Sequence, residues 1–149
     1  MTYEIREIDG PLNRDVIESF NDLDPHFPPL QDRHFTGFWW LAFRTDHPDA
    51  IGEVEAAVAF AGLVPFEPIP QAGYFKRCFV MPGHYGHGLQ YRLMVARELK
   101  ARQLGWKVLV SDCRTDNSFS ASNFRKFGFT QCDPEQPWAK DSLFWQKTL

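Results

Sequence analysis

The sequence predicts a mixed α/β domain, and three observations carry that prediction. Aromatic, aliphatic and β-branched runs of strand length alternate with segments whose apolar residues recur at helical spacing. Twice a strand-like run passes through a turn rich in glycine or capping residues straight into a helix, over 74–99 and over 108–127. The 149 residues, 44% apolar, suffice for one core, so a single domain spanning 1–149 is expected.

Tyr3 to Ile8 alternates imperfectly and ends at Asp9-Gly10, a first strand. Pro11 suits the first turn of a helix in which Val16, Ile17, Phe20 and Leu23 follow at helical spacing until Asp24-Pro25 stops it. Pro25, Pro28 and Pro29 then impose a shaped loop, with a short helix over 30–34. Phe38 to Arg44 and Glu53 to Val64 read as a hairpin around Thr45 to Asp49. Gly73 to Met81 is the next strand, and Leu89, Leu93, Ala96 and Leu99 mark a helix that Gly105 ends. Val108 to Val110 is a short strand. Asp116-Asn117-Ser118 caps a helix carrying Ala121, Phe124 and Phe127 before Gly128, and two strands, 129–131 and 143–147, close the chain.

Composition excludes several classes of function. Sixteen Lys and Arg against nineteen Asp and Glu give a net charge of -3, without the basic excess that nucleic acid requires. The N-terminal residues alternate charge with apolar side chains, unlike a signal peptide, and the apolar run from Ala56 to Val64 is too short to span a membrane. Cys78, Cys113 and Cys132 are odd in number and lack CxxC spacing, which fits free thiols in a cytoplasmic protein. Fourteen Phe and five Trp are mainly packing, with Trp39 and Trp40 a possible exception.

Chemistry enters at Gly83-His-Tyr-Gly-His-Gly88. A helix N-terminus presents unpaired N–H groups to an anion, and glycines let the anion approach closely. The turn carries no Gly-Lys-Ser/Thr and no GxGxxG spacing, so neither standard nucleotide fingerprint matches, and by itself it serves equally as a helix start.

Two segments together say more. Val80-Met-Pro82-Gly-His-Tyr85-Gly86-His87-Gly88-Leu89-Gln90, followed by Asn117-Ser-Phe-Ser120 to Phe124, Lys126 and Gly128-Phe129, resembles the two signature motifs of the GNAT acetyltransferase superfamily. Val80, Pro82, Gly86 and Gly88 match the first motif, while Tyr85 replaces its Arg or Gln and Gln90 its last Gly or Ala. Asn117, Ser120, Lys126, Gly128 and Phe129 match the second, with Phe124 where tyrosine is usual.

The resemblance implies a mixed, mostly antiparallel sheet of six to seven strands, helices on both faces, splayed between the fourth and fifth strands to admit acetyl-CoA. It implies that the amides of Tyr85, Gly86, His87, Gly88, Leu89 and Gln90 bind pyrophosphate. It also implies that Phe79 and Val80 pair with pantetheine, that Asn117 contacts the cofactor and Phe124 lies beside it, and that the N–H of Val80 stabilises an oxyanion. The reaction implied is direct attack of a primary amine on the thioester in a ternary complex, with no metal.

The general base is open. Members with a glutamate on the fourth strand carry it near Tyr74, which is a poor base at neutral pH. Glu55 ranks first and Asp112 second, a solvated strand residue being the plainer role for Glu55. Ser120 or Ser122 can stand in for the missing phenol, although a Ser near a helix start is more often a structural hydrogen bonder. His84 and His87 lie in the glycine turn without a second ligand pair, against a zinc site. Cys113 reads as a buried small residue.

The acceptor, a small molecule or peptide amine, is expected between the loops 22–32 and 133–141, which carry carboxylates beside His26, Phe27 and Trp138. A homodimer is compatible with the resemblance. The competing function is an acetyl-CoA-binding sensor or interaction module that has lost transfer, which Phe124 and the missing strand-four glutamate favour.

Overall fold

The computed structural model describes residues 1–46 and 56–149. In chain order the elements are β1 (Tyr3–Ile8), α1 (Arg14–Asp22), α2 (Asp32–Phe35), β2 (Phe38–Arg44), β3 (Ala59–Pro65), β4 (Ala72–Val80), α3 (Leu89–Gln103), β5 (Val108–Arg114), α4 (Ser118–Phe127), β6 (Thr130–Cys132) and β7 (Ser142–Thr148). They form one seven-stranded mixed sheet in the order β1-β2-β3-β4-β5-β7-β6, with β4 and β5 parallel and the helices around it. No helix among the described residues is long and apolar enough to cross a membrane.

The chain divides into two compact units, residues 1–64 with 76–97, and residues 65–75 with 98–149. In the first, β2 pairs antiparallel with both β1 and β3. Its run Trp39-Trp-Leu-Ala-Phe43 is buried throughout, as a strand covered on both faces requires. Ile17, Phe20, Phe35, Trp39, Leu41, Phe43, Ala57 and Phe60 make the core, with Phe20 and Trp39 stacked against Phe60 at 5.1 and 5.8 Å. The Trp39 indole N–H donates to the His34 carbonyl at 3.0 Å, so this tryptophan is packed and satisfied rather than displayed. Gly62 is required by that packing, because a Cβ there would lie 2.6 Å from the Trp39 ring.

In the second unit, β5 pairs with β7 at all seven positions, from Val108↔Thr148 to Arg114↔Ser142. The backbone register between β4 and β5 comprises Ala72↔Val108, Gly73↔Leu109 and Tyr74↔Val110. One residue further on, the buried Ser111 hydroxyl donates to the Phe75 carbonyl at 3.1 Å. Phe75, Phe124, Phe127, Phe129 and Trp145 form an aromatic core.

Several boundaries differ from the sequence reading. The strand expected from 108 to 110 runs to Arg114, because pairing with β7 overrides the low strand propensity of Ser111 and Asp112. Pro11 lies in the turn ahead of α1, which starts at Arg14. The strand expected over 53–64 begins at Ala59, and its residues 53–55 lie outside the described residues. On α3 the inner face is Leu89, Leu93, Met94, Arg97 and Ala101, whereas Leu99 is exposed.

Candidate active site

β4 ends at Val80 and the chain turns through Pro82 to Gly88 before α3 begins at Leu89. Gly83, Gly86 and Gly88 have φ of +93°, +79° and +72°, values that residues with a Cβ rarely adopt. A Cβ built on Gly86 or Gly88 would meet nothing within 4 Å, so the outer side of the turn is clear of protein. The Arg92 N–H closes on the Gly88 carbonyl at 3.0 Å, and the buried Leu89 seats the helix start. The preceding N–H groups belong to the turn that an α-helix leaves without intrahelical acceptors. Tyr85, where the family has Arg or Gln, is 62% exposed. This arrangement fits a pyrophosphate: backbone donors, a helix dipole and no Cβ in the way.

The histidines of the turn have a structural neighbour in β1. The Tyr3 hydroxyl and His84 Nδ1 are 2.9 Å apart, and the Tyr3 ring lies 5.3 Å from that of His87. Burial lowers the His84 pKa. Among the described residues no group of three His, Cys, Asp or Glu side chains could hold a metal ion.

β4 is not uniformly extended. Arg77 sits at φ +59°, a bulge in the strand three residues before Val80. The bulge is held from one side by Arg97, whose Nη1 donates to the carbonyls of Arg77 and Gly62, each at 3.3 Å, and whose Nε donates to Leu93 at 3.2 Å. Arg97 is 2% exposed, and burial depresses its pKa to about 10. The Arg77 side chain in turn donates to Asn21 Oδ1 at 2.8 Å and the Pro28 carbonyl at 3.0 Å, and lies over Phe27. The loop after α1 is thereby tied to the bulge. Phe79 and Met81 pack on the first unit's core, and Val80 is half-buried between them.

In the second unit Asn117 is the N-cap of α4, its Oδ1 accepting the Ser120 N–H at 3.0 Å. Gly128, at φ +102°, ends that helix. Phe124 is buried, stacked on Trp145 at 5.6 Å and edge-on to Phe129 at 5.1 Å. Cys113 is buried and its sulfur accepts the Trp145 indole N–H at 3.3 Å, a packed residue rather than a nucleophile. Asp112 Oδ2 accepts both the Tyr74 hydroxyl and the Trp138 indole N–H, the latter at 2.9 Å.

The structure thus brings Tyr85 to Gln90 together in the turn and the first residues of α3, and Ser120 and Phe124 on α4 behind its N-cap Asn117. Glu55, ranked first as base, lies outside the described residues. The buried Arg97 has no signature in the sequence, because a charged residue on a helix is ordinarily exposed. The pairing of Asp112 with Trp138 spans 26 residues and leaves no local pattern in the sequence.

The model of the acetyltransferase (GNAT) family matches residues 3–129. An acetyltransferase of the GNAT family from Staphylococcus aureus Mu50 superposes with a TM-score of 0.74 at 14% identity, covering 99% of each chain. A chain of the NatC complex, solved with Gag peptide and CoA, gives 0.78 at 13% identity, covering 100% of this chain and 99% of that one. The ribosomal-protein-S18-alanine N-acetyltransferase from Escherichia coli gives 0.72 at 12% identity, covering 99% and 94%. No curated protein sequence matches the chain. The chain belongs to the acetyltransferase (GNAT) family.

Proposed function

We propose that the chain transfers the acetyl group of acetyl-CoA to a primary amine by direct attack in a ternary complex. The observation that carries this reading is the turn of three positive-φ glycines running into the α3 N-terminus. Its amides from Tyr85 to Gln90 hold the pyrophosphate, and Phe79 and Val80 offer the backbone of β4 to pantetheine.

In the reaction the amine nitrogen bonds to the thioester carbon, the Val80 N–H stabilises the oxyanion, and the C–S bond breaks with its electron pair on sulfur. The ammonium proton passes through water to a carboxylate, for which Glu55 and Asp112 are the candidates. A thiol pKa of about 8.5 lets the thiolate leave without a phenol, so Phe124 is compatible with turnover, and Ser120 is the nearby hydroxyl on α4. The burial of Phe124 between Trp145 and Phe129, where the family places its phenol, supports the second reading, an acetyl-CoA sensor or interaction module. Three free thiols support a cytoplasmic location.

A panel of amines incubated with acetyl-CoA, followed by thiol release and product mass, tests the choice. An acetylated product accumulating in step with free thiol is the result expected of an enzyme; cofactor binding without product selects the sensor.

A further inference from the structure

We propose that Asp112 and the aromatic residues around it form the acceptor-recognition site, selecting an ammonium carried on an aromatic or similarly flat apolar group. The inference rests on the acetyl-transfer reading for its context and on the second unit alone for its geometry. Asp112 is half-buried on β5. Its two hydrogen-bond donors, the Tyr74 hydroxyl and the Trp138 indole N–H, are neutral, and among the described residues both go to Oδ2. A carboxylate has lone pairs for about four donors, so Oδ1 retains acceptor capacity. No Lys, Arg or His among the described residues forms an ion pair with it. A carboxylate withdrawn from water is stabilised by a counter-charge. Two oriented neutral donors hold this one in place without supplying that charge.

The walls have matching chemistry. Phe66 stacks against Tyr74 with centroids 6.1 Å apart and meets Trp138 edge-on at 5.0 Å. Trp138 in turn meets Phe144 edge-on at 4.6 Å. Tyr74 and Trp138, both half-buried and bonded to the carboxylate, offer π surface to a cation and apolar surface to the group that carries it; Phe66 packs on both, and the buried Phe144 backs Trp138. An anionic ligand would be repelled by the carboxylate. The indole bond also fixes the 133–141 loop, through Trp138, onto β5, so loop and strand act as one recognition surface.

The test is titration calorimetry at neutral pH on the full chain with coenzyme A present, using phenethylamine, 2-phenylethanol and n-hexylamine as probes. Saturable binding of phenethylamine is expected, with 2-phenylethanol at least about tenfold weaker because it lacks the charge, and n-hexylamine weaker because it lacks the ring. Asp112→Asn should weaken phenethylamine at least about tenfold, and Trp138→Phe, which keeps a ring and removes the N–H, severalfold. Equal binding of phenethylamine and 2-phenylethanol, or no binding of either, overturns the proposal whether or not the variants fold. Unchanged binding by folded Asp112→Asn overturns it too. Coenzyme A binding is read separately in the same cell: its failure beside intact phenethylamine binding overturns the acetyl-transfer reading and leaves the cation site standing.

Discussion

The Arg97 guanidinium donates to the carbonyl oxygen of Arg77 at 3.3 Å, so a buried charge on α3 holds the residue at which β4 leaves extended geometry. The same guanidinium reaches Gly62 on β3 and Leu93 on its own helix, so three carbonyls depend on one side chain. Arg97→Met removes those donors while keeping an unbranched stem. It should destabilise the protein by about 1 to 3 kcal/mol in denaturant unfolding, with Arg97→Lys recovering part of the loss. Wild-type stability in Arg97→Met would mean the bulge holds itself.

Gly88 has φ +72° and open space where a Cβ would stand. Gly88→Glu therefore costs about 1 to 2 kcal/mol of backbone strain without a clash, and the protein should still fold. The added negative charge at the helix start should weaken acetyl-CoA binding at least about tenfold. Unaltered affinity in a folded variant places the pyrophosphate elsewhere.

Phe124→Tyr restores the phenol usual in the family. The ring sits between Trp145 and Phe129, so a hydroxyl without a partner there costs about 1 to 3 kcal/mol. Turnover should rise modestly and cofactor affinity should hold. A general acid contributes about 10² to 10⁴-fold. An increase of about a thousandfold in the acetyl-transfer rate would show that leaving-group protonation limits the natural protein.

His34 supplies a pH dependence. Burial first, then Lys76, Arg33 and Arg77, lowers its pKa from 6.5 to about 4, and its Nδ1 accepts the Gln31 N–H at 3.0 Å as only a neutral ring can. The unfolded chain therefore binds the proton first. This contribution is complete above about pH 6.5 and is lost as the pH falls toward 4, amounting to about 2 to 3 kcal/mol. His34→Gln keeps an acceptor and cannot titrate. Unfolding midpoints at pH 7 and 4.5 should fall further for wild type than for His34→Gln, and parallel falls would contradict the assignment.

What the sequence made legible was local. Gly83, Gly86 and Gly88 announce a turn because positive φ excludes most other residues, and Asn117 and Gly128 bracket α4 because capping uses short polar side chains and left-handed backbone. What it concealed depends on partners far along the chain. The full length of β5 depends on its ladder with β7, and the burial of Arg97 on carbonyls from two strands. Tyr74, Asp112 and Trp138 meet across separations of 38 and 26 residues, for which no local pattern exists.

Acetyl-CoA binding tests the central claim, that the glycine turn ahead of α3 is a cofactor site. A ligand that binds only the folded state raises stability by about 2.7 kcal/mol at 100 times its dissociation constant, which for a chain of this size raises Tm by about 5 to 11 °C. Calorimetry with millimolar acetyl-CoA should show binding heat and that rise in Tm for wild type, and for folded Gly88→Glu a rise reduced to about half or less, as a tenfold or greater loss of affinity requires. Absence of both with the wild-type protein would contradict the account.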